Sequence, residues 1–228
     1  MGALLLEGGA EFGGAMLEPD LRAIELAGGF DAPIRIIPTA AAPDNNHVRA
    51  GGNGVRWFQN LGATDVDSIP LIDKESANNL EVIETLQVAK LIYMLGGFTH
   101  YLGQTLLGTK AWKTSLESYQ KGAVVAGSSA GAMVICEYYF DLSGGKVVQG
   151  LNLVPNACVI PHHNTFGKNW VGKLKTLLPG VTLLGIDEYT GMLTEGTDWK
   201  VFGGGAVTLY RNDDIEYYES GQIFLLNK

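Results

Sequence analysis

The chain has 228 residues, enough to bury a sizeable core, and its 46% hydrophobic and 18% charged content is that of a globular protein. Its formal net charge is −8, and Lys and Arg form no cluster, which excludes nucleic acid and anionic membrane surfaces as natural partners.

The amino-terminal apolar run reaches Glu7 too soon for a signal sequence and has no basic flank. Leu6 stands where a myristoylation motif needs Ser or Thr, so a cytoplasmic protein is expected. Short β-rich runs at 3–6, 34–38, 65–71, 91–95 and 123–126 then alternate with helical patterns at 17–27, 48–61, 77–89 and 111–120. Runs that are apolar on both faces and separated by helices predict a parallel sheet covered on both sides, with right-handed crossovers. After about residue 140 the pattern shifts to shorter strands at 157–161, 182–186, 191–195, 201–202 and 206–210, with one helix at 168–178. The tail, 214–218 and 222–226 around Ser220-Gly221, predicts a terminal hairpin. With no linker, repeat or low-complexity tract, one α/β domain over residues 1–228 is expected. The two cysteines, Cys136 and Cys158, lie in apolar stretches and read as buried thiols.

Chemistry first shows at Gly127-Ser128-Ser129-Ala130-Gly131, which follows the apolar run 123–126 and fits G-x-S-x-G. A nucleophile in a strained strand-to-helix turn needs small neighbours two before and two after, so that strand and helix can approach closely. The register makes Ser129 the nucleophile and Ala130 a donor of one oxyanion N–H. Gly96-Gly97, at the end of the run 91–95, offers a second such N–H, with Gly97 the better placed. Both turns fall at the carboxyl edge of the predicted sheet, where open parallel sheets bind ligands.

A base must take the serine proton, and the chain has four histidines: His47, His100, His162 and His163. His47 and His100 sit near helix starts. His162 and His163 close the apolar run "ACVIPHHN", and strand alternation sends them in opposite directions, so one of the two faces the site. The orienting acid is sought in "LLGIDEYTG", where Asp187 and Glu188 follow another buried strand. The chain order serine, histidine, acid differs from that of α/β-hydrolases, in which the acid precedes the histidine.

Taken together, "PTAAAP", "LGGFT", "GSSAGA", "VIPHH" and "GIDEYTGMLTEG" resemble the serine peptidase family of aspartyl dipeptidase and cyanophycinase, over residues 36–196 and in the family's order. The resemblance implies a flavodoxin-like three-layer α/β sandwich with a mostly parallel central sheet and a C-terminal β-rich section. It implies a triad of Ser129, His163 and Glu188, an oxyanion hole of Gly97 and Ala130, and no metal or organic cofactor. Thr99 matches a position that contacts substrate, and Phe98 replaces the Asn or Asp more usual after the glycine pair. The stretch after His163 carries Lys168 and Lys173 but no arginine, unlike the Arg-rich stretch of cyanophycinases.

The implied activity is that of a serine exopeptidase or dipeptidase on short peptides, with Asp-containing, isoaspartyl and cyanophycin-derived peptides as the substrates the resemblance suggests. The alternatives are another amide hydrolase on the same fold and a catalytically silent small-ligand binder. A short peptide is the expected partner, a homodimer is open, and neither nucleic acid nor membrane is expected.

Overall fold

A computed structural model describes residues 1–226. The first half of the chain alternates strand and helix: β1 (Leu4–Glu7), α1 (Leu17–Ala27), β2 (Ile34–Ile37), α2 (His47–Asn60), β3 (Val66–Ser68), α3 (Leu80–Val88), β4 (Leu91–Met94), α4 (Thr99–Leu106), α5 (Lys110–Gln120), β5 (Val124–Ser128) and α6 (Ala130–Ile135). Local chemistry sets several of these limits. Asn79 caps α3 by accepting the Glu81 N–H at 2.8 Å, and Thr109 does the same for α5 with the Trp112 N–H at 3.4 Å. Pro19 sits in the first turn of α1, where its missing N–H costs nothing, and left-handed Gly28 ends that helix.

The second half is richer in strands: β6 (Cys136–Asp141), β7 (Lys146–Gln149), β8 (Val154–Ile160), α7 (Val171–Leu177), β9 (Thr182–Ile186), β10 (Thr190–Glu195), β11 (Asp198–Gly203), β12 (Ala206–Arg211), β13 (Asp214–Glu219) and β14 (Ile223–Phe224). Two sheets result. The eight-stranded one has the order β14-β11-β10-β1-β5-β4-β2-β3, and the six-stranded one β13-β12-β9-β8-β6-β7. Strands β1, β5, β4, β2 and β3 are mutually parallel, as are β6, β8 and β9, and the remaining pairs are antiparallel.

Alternation along the central strands divides the core. Leu5, Ile36, Tyr93 and Ala126 pack with Ala23 and Ile24 of α1 and Phe58 of α2. Leu4, Leu6, Met94 and Val125 face the other way, into a larger core shared with α3 to α6 and the second sheet. The fold is therefore mixed α/β, with mostly parallel central strands and a strand-rich C-terminal region. Among the described residues, no helix is long and apolar enough to cross a membrane.

The terminal hairpin expected at 214–218 and 222–226 does not form. β13 pairs with β12 in the second sheet, whereas β14 pairs with β11 in the first. The turn at Ser220-Gly221 carries the chain between sheets, and Gly221 N–H donates to Val201 O at 2.8 Å. Burying Phe224 and Leu226 in the larger core, beside Trp199, outweighs local pairing. The β6–β7 hairpin was not anticipated, although Ser143-Gly144-Gly145 is a turn signal between two apolar runs.

Candidate active site

The carboxyl ends of β1, β4 and β5 meet those of β8 and β9 at one place. Backbone bonds sew the two sheets together there: His162 N–H donates to Gly8 O at 2.7 Å, and Tyr189 N–H to Gly9 O at 3.2 Å. At the end of β5, Ser129 has φ +48° and ψ −107°, a conformation that L-residues rarely adopt, before the chain enters α6. The flanking glycines are required by space. A Cβ at Gly127 would lie 2.4 Å from the Gly131 carbonyl carbon, and one at Gly131 would lie 2.2 Å from Met94 O. The strained turn lifts Ser129 to partial exposure while Ser128 is fully buried, its hydroxyl donating to Glu11 Oε2 at 2.7 Å.

Ser129 Oγ lies 3.0 Å from His162 Nε2, and His162 Nδ1 lies 2.7 Å from Glu188 Oε1. The histidine expected to face Ser129 was His163; the geometry puts His162 there instead. Pro161 follows the last residue of β8, and His162 then takes φ +51°, so strand alternation stops before it reaches the histidine pair. The His162 ring stacks on Phe166, with centroids 4.8 Å apart at 23°. Asn164 Oδ1 accepts the Glu188 N–H at 2.9 Å, and Thr165 Oγ1 donates to His162 O at 3.1 Å. Both follow the histidine pair directly, but neither carries a motif that would single it out.

His163 is 6% exposed and belongs to a second polar chain. Its Nδ1 lies 3.2 Å from Asp187 Oδ1 and its Nε2 lies 2.8 Å from the Tyr210 hydroxyl. Burial lowers its pKa from the usual 6.5, opposed by the hydrogen bond and charge of Asp187. Asp187 Oδ2 also accepts the Ala206 N–H at 3.1 Å, tying β9 to the start of β12. The remaining histidines stay apart from Ser129: His100 Nδ1 lies 2.9 Å from the Tyr139 hydroxyl, and His47 Nδ1 is buried with no hydrogen-bond partner among the described residues.

The two residues expected to supply oxyanion N–H groups, Ala130 and Gly97, both lie beside Ser129. Ala130 opens α6, so its N–H is among those that a helix leaves without an internal acceptor. Gly97 lines the same cleft as Ser129, between Gly96, whose N–H reaches Glu11 Oε1 at 3.3 Å, and Phe98, whose N–H donates to Ala40 O at 2.8 Å. The cleft measures about 680 Å³. Phe98 and Thr99 also line it, the Thr99 hydroxyl resting 3.6 Å from Met133 Sδ.

Beneath the strained turn at Ser129 is a buried acidic group that the sequence did not disclose. Glu7, whose carbonyl accepts the Ser129 N–H at 3.0 Å, is fully buried, as is Asp20. The Tyr93 hydroxyl donates to Glu7 Oε2, and Trp57 Nε1–H donates to Asp20 Oδ2 at 2.8 Å. Among the described residues, Glu7 Oε1 and Asp20 Oδ1 meet no hydrogen-bond donor. Loss of hydration, reinforced by the charge of Asp20, raises the Glu7 pKa well above the carboxylate range, and loss of hydration raises that of Asp20 to about 7. One proton shared between the two carboxyls would satisfy both of these oxygens. Among the described residues, no group of three or more His, Cys, Asp or Glu is arranged to hold a metal ion.

Known proteins resemble the chain over nearly its whole length. The cyanophycinase of Trichormus variabilis (strain ATCC 29413 / PCC 7937) is 29% identical over 199 residues, which cover 80% of this chain and 64% of the relative. The chain thus spans less than two thirds of that protein. The cyanophycinase of Geminocystis herdmanii (strain PCC 6308) is 27% identical over 214 residues, covering 86% of this chain and 76% of that one. Among solved structures, a peptidase from an acI-B1 Actinobacterium superposes with a TM-score of 0.89 at 32% identity, covering 99% of this chain and 97% of the other. A putative peptidase E protein from Listeria monocytogenes EGD-e shares the fold, with a TM-score of 0.61 at 20% identity over 96% of this chain and 98% of its own. Residues 4–202 match the model of peptidase family S51, and the chain belongs to that family.

Proposed function

We propose that the chain is a serine peptidase acting on short peptides, with Ser129, His162 and Glu188 as its triad. The observation that carries this reading is the continuous path from Ser129 Oγ to His162 to Glu188, with contacts of 3.0 and 2.7 Å, at a strained strand-to-helix turn. Ser129 Oγ attacks the scissile carbonyl as its proton passes to His162 Nε2. Glu188 accepts the Nδ1–H of His162, fixes the tautomer and stabilises the imidazolium that forms. The N–H groups of Gly97 and Ala130 hold the oxyanion of the tetrahedral intermediate. His162 then gives its proton to the leaving amine. Water, activated by the same imidazole, releases the acyl group from Ser129.

A dipeptide-library digest, with Ser129→Ala as control, tests the reading. The panel includes aspartyl and isoaspartyl dipeptides and a cyanophycin fragment, because the curated relatives are cyanophycinases. Cleavage that disappears in Ser129→Ala is the expected result. Cleavage that survives the substitution, or a chain that cleaves nothing and resists a fluorophosphonate, would overturn it.

A further inference from the structure

Within the described chain, an aromatic ladder runs from the imidazole into the cleft. His162 stacks on Phe166; the Phe166 and Trp170 centroids are 5.7 Å apart, and those of Trp170 and Phe140 are 5.5 Å apart. Phe98 and Met133 also line this cleft. Phe98 and Phe166 are each 48% exposed, so large apolar surface is left open to water beside the nucleophile. No Arg or Lys is among the lining residues. The acid that lines it, Asp141, is 5% exposed and turns Oδ2 towards its own hairpin, where a Cβ at Gly144 would sit 2.4 Å away. A substrate carboxylate would meet no Lys or Arg in this lining, and a guanidinium would meet one acid, Asp141, whose side chain is almost wholly buried.

We infer that this ladder is the specificity pocket for a large apolar or aromatic side chain next to the scissile bond. The inference rests on the hydrolase reading above and adds the class of peptide it takes. Desolvation of a phenyl or isobutyl group against these rings stabilises the bound substrate, and a group of that size is worth about 10- to 100-fold in kcat/KM. Lys173 Nζ stands 5.0 Å from the centroid of the Phe140 ring, on this wall but outside the lining. An acidic arm of the test therefore has a definite structural meaning.

The test is kcat/KM for dipeptides in which Phe, Leu, Asp or Arg is placed on either side of an Ala partner, with Ala-Ala as reference. Fluorophosphonate labelling of Ser129 is read in parallel. Expected is a Phe- or Leu-bearing peptide at least about tenfold better than its Asp and Arg counterparts. In Phe98→Ala the ratio of Phe-peptide to Ala-Ala turnover should fall, mainly through KM; a ratio is insensitive to the fraction of enzyme folded. If Ser129 is labelled but Asp or Arg peptides are preferred, the pocket inference is wrong and the hydrolase reading stands. If there is neither labelling nor cleavage, the hydrolase reading fails and this inference falls with it.

Discussion

The imidazole of His162 rests directly on the backbone of Gly9: a Cβ built there would lie 2.3 Å from its Cε1. Gly9 also has φ +114°, where a side chain is strained whatever the space. Gly9→Ala should therefore displace the ring from Ser129 while leaving both sheets paired. A shift of about 1 Å in a catalytic group costs about 10²-fold in rate. Kinetics together with a thermal melt check this: kcat should drop much more than the modest fall in Tm accounts for.

The adjacent histidines should separate cleanly by assay. His162→Ala should remove activity by about 10³-fold or more with little change in stability. His163→Gln should instead lower the Tm, because it disturbs the buried link between Asp187 and Tyr210. The His163 pKa is lowered in the fold, so its contribution to stability is present above the unfolded value near 6.5 and is lost as pH falls through the folded value. Acid unfolding of His163→Gln should accordingly lose part of the steepness seen in the parent below about pH 6.

The two carboxylates after β9 should divide in the same way. Glu188→Gln keeps the shape of the acid but not its charge, and should slow turnover by about 10²- to 10⁴-fold. Asp187→Asn should leave turnover nearly intact and weaken the tie between β9 and β12, seen as a lower denaturant midpoint. A larger kinetic loss from Asp187→Asn would move the acid role to Asp187.

The buried Glu7 and Asp20 give a stability signature of opposite sign. The Asp20 pKa is raised in the fold to about 7, against an ordinary 3.8, so its stability contribution is fully present below the unfolded value and is lost as pH rises through the folded one. The protein should therefore lose stability from about pH 4 to about pH 7 through this pair. Asp20→Asn keeps an oxygen for Trp57 and supplies an N–H to Glu7. The variant should flatten that fall, gaining more in Tm over the parent at pH 8 than at pH 5. An equal difference at both pH values would contradict the shared proton.

Much of this was legible in the residues. The apolar runs of β1, β2, β4 and β5 gave the parallel sheet because each is buried on both faces. The strained turn at Ser129 was legible because strand and helix approach so closely that only Gly fits at 127 and 131. The choice between His162 and His163 was not, because Pro161 ends the strand and the positive φ of His162 reorients its ring. The Glu7–Asp20 pair was hidden for another reason: it forms between β1 and α1, and nothing local marks Asp20 as buried. The pairing of β14 with β11 was likewise decided by long-range burial of Phe224.

The central claim is that His162 activates Ser129. Its most direct measurement is the rate at which a fluorophosphonate modifies Ser129 in the parent, His162→Asn and His163→Gln, with the site mapped by mass spectrometry and folding checked by circular dichroism. Rapid labelling of the parent and of folded His163→Gln, with labelling of His162→Asn slowed by about 10³-fold or more, is the predicted result. Undiminished labelling of His162→Asn, or its selective loss in folded His163→Gln, would contradict the account.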